Sequence, residues 1–325
     1  MKATSSARSS RLSHALEEVL SRVARSEKSA RRSLNTESVH DLRVALRRCR
    51  SLAEGFAEMD PRPVWRDLRK ACGKQQAGLS ELRDSQVLVE WVARLGLNRG
   101  PHGHDLVRGL EKEERRGKQD ARAALKSFSR KHWKRWRDSL PETAGSLIVG
   151  NSRLARIAFE RASSVCLLER RWRRSPSNVA WHRLRIGVKR FRYAVESFLP
   201  AQHAAWGPHL KRLQDLLGEG HDLDVLRARI VKFAQKQKVP AKTRELWLRK
   251  IAQAREQRTR RYARASALPA KARKASGGRT NRDSTKSRAP KETYIYDTWR
   301  TESAKLAKIN PADAAKPTTS AAIRG

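Results

Sequence analysis

Residues 39–50 read VHDLRVALRRCR, and residues 181–192 read WHRLRIGVKRFR. Five of the twelve positions are identical, and His40 and His182 stand 142 residues apart. A second pair follows each copy: residues 76–84, QAGLSELRD, match residues 214–222, QDLLGEGHD, at a spacing of 138. Two motifs repeated in one order at nearly one spacing mean a duplicated half, not a long solenoid array. Around them, apolar residues recur at three- and four-residue steps, as in Leu12, Leu16, Val19, Leu20 and Val23, while strand patterns are nearly absent. Helices are expected over residues 36–56, 64–76, 85–95, 106–140, 147–174, 178–199, 209–217, 223–237 and 243–267. The prediction is an all-α, pseudo-twofold-symmetric helical bundle over residues 11–265, with halves near 11–145 and 146–265.

After Pro269 the apolar periodicity fails and Ala, Lys, Ser, Thr and Pro dominate. Such a composition buries too little apolar surface to offset ordering entropy, so residues 266–325 read as a disordered basic tail. Deleting residues 270–325 should then leave the helices and anion binding intact. The YIYDTW of residues 294–299 is the tail's only aromatic cluster and a candidate docking segment.

Charge bounds the partner. Lys and Arg number 73 against 33 Asp and Glu, a net +40, of which the last sixty residues supply only +8. A folded domain this basic repels itself unless an anion shares its surface, which points to polyphosphate, nucleic acid or an acidic membrane face. Cys49, Cys72 and Cys166 are scattered and show no paired spacing, so neither a disulfide framework nor a zinc site is expected. No run is apolar enough to span a bilayer, and Glu17, Glu18 and Glu27 interrupt the Ser- and Arg-rich start. A cytoplasmic protein is expected.

The repeated helix carries the sharpest signal. With His40 at 0° on a helix turning about 100° per residue, Arg43, Arg47 and Arg50 fall at roughly 300°, 340° and 280°. Val39, Leu42, Ala45, Leu46 and Cys49 occupy the adjoining core arc, so the basic row borders the core instead of lying opposite it. His182, Arg185, Lys189 and Arg192 repeat the row. An ordinary solvated face would mix in acids, and this row contains none. A histidine heading it can donate a hydrogen bond to phosphate oxygen and gains charge when protonated. Arg48, Arg183 and Arg190 point away and read as solvated. In the second motif, Gly78, Gly218 and Gly220 read as turn residues, with Asp84 and Asp222 capping the helix that follows. Arg83 and His221 hold matched positions beside them, as do Lys74 and Arg212, and these basic groups would complete an anion site.

These motifs, with the continuation YAVE after residue 192 and LQDLLGEGHDLDV after it, resemble the two halves of a CHAD domain, a conserved-histidine α-helical domain, over roughly residues 11–265. The resemblance implies two pseudo-symmetric four-helix halves, a basic channel and inorganic polyphosphate as ligand. It also implies that Tyr193 and Lys211 join the ligand-facing set, and it makes association with polyphosphate granules an expectation. Ser51 stands where Tyr193 does, and Ser80 and Leu82 where Gly218 and Gly220 do.

Two rivals differ in class. His40-Asp41 and His221-Asp222 are HD dipeptides of the kind found in metal-dependent phosphohydrolases. Their counterparts are His182-Arg183 and Arg83-Asp84, so neither repeats as a metal pair. Glu111, Glu113 and Arg115 loosely match a triphosphatase motif that belongs on strands. No enzyme, cofactor or metal is expected. RNA or DNA binding fits the charge, and Trp133 and Trp136 of KHWKRWR offer stacking groups, though their spacing suggests packing. Polyphosphate has no bases, so a site of cationic donors suits it better.

Overall fold

The computed structural model describes residues 2–147, 151–267 and 294–309, with side chains from residue 12 onward. Its helices are α1 (Lys2–Arg32), α2 (Thr36–Met59), α3 (Pro63–Gly78), α4 (Ser80–Arg94), α5 (Gly100–Lys126), α6 (Arg130–Gly145), α7 (Asn151–Arg174), α8 (Asn178–Phe198), α9 (Pro200–Lys236), α10 (Ala241–Ser266) and α11 (Ile295–Leu306). Among the described residues there is no strand, only an isolated bridge between Ala267 and Tyr294. The all-α class therefore holds.

Two compact units divide the chain. The first takes the described residues up to 147 together with 222–253, and the second takes 151–221 and those from 254 on. Neither is continuous in sequence, whereas the repeat placed 146–265 in one half. The cause is α9, which continues as one helix through residue 221. Its last turns join the first unit, where Arg229 donates to Glu113 at 3.0 Å and Phe233 lies against Gly109. In that unit α1 packs on α2 and α6, α2 on α3, and α4 on α5. In the second, α7 packs on α8 and α11.

Both units carry the same internal clip. Glu27 on α1 is buried and paired with Arg31, whose other arm donates to the Leu125 carbonyl at the end of α5. On α7, 142 residues later, Glu169 has no exposed surface and accepts from Arg173 at 2.8 Å, and Arg173 donates at 3.2 Å to the Ala263 carbonyl near the end of α10. Asn35 then caps α2 by accepting from the Ser38 amide, and Ser177 caps α8 from the Ala180 amide.

The tail expectation is corrected. Residues 268–293 and 310–325 lie outside the described residues, but α11 is a packed helix. The buried side of α6, Trp133, Trp136, Leu140, Pro141 and Ala144, is matched 163 residues on by Tyr296, Trp299, Ser303, Ala304 and Ala307. Thus α11 packs on α7 as α6 packs on α1. Trp299 stacks on Trp206 at 5.9 Å and meets Tyr296 at 5.6 Å inside the second unit's core. Arg170 donates to Asp297 at 2.8 Å, and the Asp297 carboxylate accepts from the Tyr294 amide at 3.0 Å, which fixes the start of α11. The segment read as a docking motif is the fifth and last described helix of the second set, the counterpart of α6.

Three local readings also change. The helix expected over 106–140 is two, because residues 127–129 break it and Ser129 caps α6 through the His132 amide. Leu79 alone separates α3 from α4, so Asp84 lies inside α4, beyond its first turn, and not at the N-cap. Gly218, Gly220 and Asp222 lie within the unbroken α9. Gly220 is required by packing, since a Cβ there would come within 2.9 Å of the Trp181 indole.

Substituting Trp299→Ala should destabilise the protein by about 3–5 kcal/mol, the usual cost of emptying a buried aromatic site. Ending the chain after residue 293 should cost at least as much. Urea denaturation followed by circular dichroism checks both, and an unchanged midpoint would return α11 to the status of a dispensable tail.

Candidate functional site

The basic rows lie where the helical period put them. On α2 the core arc of Val39, Leu42, Ala45, Leu46 and Cys49 is buried, Arg43 and Arg47 are half-buried, and His40 and Arg50 are exposed. Arg43 donates at 3.1 Å both to the Gln76 carbonyl and to Ser80 Oγ, which anchors it over the junction of α3 and α4. Arg50 lies along α3 beside Gly73. Lys74 is exposed on α3. Arg83 reaches over from α4, with Glu90 3.8 Å from its Nη1. His40 titrates below its ordinary value, because of partial burial first and then the charges of Arg83 and Arg47, opposed by Asp41, with Arg43 adding to the fall. Four residues assigned to one anion site thus act on one another electrostatically.

The second unit repeats the arrangement. His182, Arg185, Lys189 and Arg192 are half-buried on α8 above the buried Trp181, Leu184, Val188 and Phe191. His221 comes from α9, and its ring centroid is 4.9 Å from that of His182. His182 is pushed below its ordinary value by burial and then by Arg185 and Lys189. His221 is pushed down to about 4, by burial first and then by Arg185, His182, Lys189 and Arg255. Both imidazoles are therefore neutral near pH 7 and surrounded by cations, which is the state an anion would reverse.

The remaining expected residues divide. Arg192 donates to Gln214 at 3.2 Å and lies over the ring of Tyr193 at 5.6 Å; Tyr193 itself is buried. Lys211 and Arg212 are exposed on α9, and Lys211 pairs with Asp215 at 2.6 Å. Arg183 is exposed as read, but Arg48 and Arg190 are half-buried, so the solvated reading holds for one of the three. Trp133 and Trp136 are largely buried and pack on each other, with Trp133 also on Phe128, the packing role that their spacing suggested. Glu113 is engaged by Arg229.

Arg255 was missed. Its guanidinium lies 4.1 Å over the Trp181 ring and its charge acts on His221. The signal was readable at the 138-residue spacing, where Gly117 is its counterpart, but the match was not carried past residue 222. In the first unit, Leu82 closes that space, and a Cβ at Gly117 would come within 2.7 Å of the Leu82 amide nitrogen.

A family model, the CHAD domain, matches residues 14–231. No curated protein matches the chain. Among solved structures, that of the CHAD domain from the plant Ricinus communis is 24% identical with a TM-score of 0.57, covering 78% of this chain and 86% of that one. PptA from Streptomyces chartreusis is 16% identical with a TM-score of 0.59, covering 79% and 98%. At these identities the likeness speaks for the fold.

A histidine whose pKa is lower folded than unfolded takes up its proton more readily in the unfolded chain. The ligand-free protein should lose stability as pH falls from about 6.5, the ordinary histidine value, to about 4, where His221 titrates. His221→Gln should make that loss shallower. Denaturation midpoints from pH 7.5 to 4.5 check this, and parallel curves for the two proteins would remove the cationic surroundings assigned to His221.

Proposed function

The chain belongs to the CHAD-domain family, and we propose that its two matched basic rows bind linear polyanions, inorganic polyphosphate foremost. The carrying observation is electrostatic. At His40 and again at His182 and His221, burial first and then neighbouring cations hold the imidazole below its ordinary value, and a bound phosphate chain would relieve the cationic share of that effect. Guanidinium and ammonium groups on a rigid helix supply charge-assisted hydrogen bonds to phosphate oxygens. Polyphosphate is favoured over RNA or DNA because the rows present cations and imidazoles but no exposed aromatic platform, and Tyr193 is buried.

On this reading the protein binds its ligand without cleaving it, because the dipeptides His40-Asp41 and His221-Asp222 do not recur as a matched pair between the halves. Among the described residues no group of three or more His, Cys, Asp and Glu is placed to hold a metal ion, and none of their helices is long and apolar enough to cross a membrane. With magnesium or manganese present, purified protein should release no orthophosphate from polyphosphate, and metal-dependent release abolished by His221→Ala would make it a hydrolase instead.

A chain long enough to engage both rows meets the second at high effective concentration, so affinity should rise with chain length. Arg43→Glu with Arg47→Glu, or Arg185→Glu with Lys189→Glu, should weaken long chains far more than short ones, while the exposed Arg183→Glu should matter little. If about eight phosphates are contacted, the log–log salt slope should be roughly −5 to −6, and each double variant should flatten it by about 1 to 2. Affinity for short and long chains against salt, with RNA and DNA as competitors at equal phosphate, decides the matter. Losses independent of length, or RNA competing as well as polyphosphate, would sink this reading in favour of diffuse polyanion binding.

A further inference from the structure

Among the differences between the matched helix pairs α1–α6 and α7–α11, one set of facing residues coincides with a cavity in the first unit. In the second unit, Cys166 on α7 is buried beside Asp297 and Arg300 of α11 and Arg170 of α7, whose charges all act on its thiol. The Asp297 carboxylate sits 2.8 Å from Arg170 and neutralises it. The 142-residue spacing matches Cys166 to Ala24 and Arg170 to Lys28, and the 163-residue spacing matches Asp297 to Lys134 and Arg300 to Arg137. The first unit therefore has a smaller side chain at the centre and a lysine in place of the carboxylate.

Ala24, Lys28, Lys134 and Arg137 line a cavity of about 370 Å³. Leu20, Phe128 and Trp133 give it an apolar floor, and Arg130 adds a fourth cation to its rim. The one acid in its wall, Glu27, is already held by Arg31 and lies 3.6 Å from Arg130. Asp138 outside the rim meets Lys134 at 3.2 Å and Arg137 at 3.6 Å, which leaves the lining cationic on balance. The volume is within the range of small-ligand pockets, whose usual form is an apolar body with a few convergent polar groups.

We infer that this cavity binds a small amphipathic anion, its apolar body on Leu20, Phe128 and Trp133 and its phosphate or carboxylate head between Lys28 and Lys134, where Asp297 stands in the second unit. The site shares no residue with the basic rows, and the inference stands whichever ligand those rows take. Inorganic phosphate lacks the apolar body and polyphosphate lacks any apolar surface, so both are poor ligands for it. A free alkyl phosphate and the headgroup of an anionic lipid share the required chemistry.

The test titrates the full chain with submicellar decyl phosphate by calorimetry, with inorganic phosphate and decanol as controls. Binding should require head and body together. Lys134→Asp supplies the missing carboxylate for Lys28, and Ala24→Phe fills the space. Each should weaken decyl phosphate about tenfold, Lys134→Asp by setting a like charge against the head and Ala24→Phe by occupying the room for the body, while polyphosphate affinity stays unchanged. Lys131→Asp, an equal charge change on the exposed face of α6, should leave decyl phosphate binding intact. Thermal denaturation of each variant verifies folding. Flotation with phosphatidylcholine vesicles with and without phosphatidic acid separates the sources: capture by the acidic vesicles that Ala24→Phe reduces identifies a membrane lipid, and binding of decyl phosphate with capture absent or indifferent to Ala24→Phe identifies a soluble anion. No decyl phosphate binding, binding indifferent to Lys134→Asp and Ala24→Phe, or an equal loss at Lys131→Asp overturns the proposal and leaves the polyphosphate reading untouched.

Discussion

Each half of this protein is built around one buried carboxylate. Glu169 is fully removed from solvent, a position that costs several kcal/mol for a charge unless it is paired and hydrogen-bonded. It is satisfied from three sides: Arg173 from its own helix at 2.8 Å, Ser266 at 3.0 Å and the Tyr262 hydroxyl from α10. Tyr262 in turn lies 3.2 Å from the Tyr296 hydroxyl of α11, and its burial beside this carboxylate pushes its own ionisation well up. Because Arg173 also serves a carbonyl near the end of α10, the ion pair ties α7 to α10, with α11 joined through Tyr262 and Tyr296, and it satisfies a group that helix termini leave without an intrahelical partner. Glu27 and Arg31 do the same in the first half, with Arg130 of α6 beside them.

The rows of cations follow from that anchor. His40 follows Glu27, and His182 follows Glu169, by thirteen positions, with a capping Asn35 or Ser177 at the same place between. The clip fixes the end of one helix, the cap fixes the start of the next, and the apolar arc then sets the rotation about its axis. No freedom is left for the histidine and its following arginines to face elsewhere. This is how a charge row can border a core without collapsing: its stems lie on packed apolar surface while the charged heads stay at the edge.

The rows were legible because helical period and duplication are both written in short windows. The clip was not, since a Glu–Arg pair at i, i+4 reads as an ordinary surface bridge and burial is a property of the tertiary neighbours. The last helix escaped for a related reason. Composition averaged over sixty residues hid twelve that fold, and the match of Trp133 and Trp136 to Tyr296 and Trp299 has a spacing of 163, distinct from the 142 of the first motifs. Glycines misled at residues 218–220, where a breaker signal worth about 1 kcal/mol was overridden by the room that Trp181 needs.

Comparing the halves position by position separates what the architecture requires from what has been free to change. The clip, the caps, the histidines and the rows are kept. The filling around them is exchanged in compensating sets: Val39, Leu82 and Gly117 in one half become Trp181, Gly220 and Arg255 in the other, so a large residue moves from one helix to its neighbour and opens space for an added cation. At Ala24 and Lys134 the exchange runs the other way, removing both volume and a counter-charge and leaving a cavity unfilled. A duplicated fold can tolerate this because the common clip holds each helix in place whichever side chains lie next to it. Each half therefore carries a basic row of the same kind and differs in the packing beneath it, which gives each room to acquire contacts the other lacks.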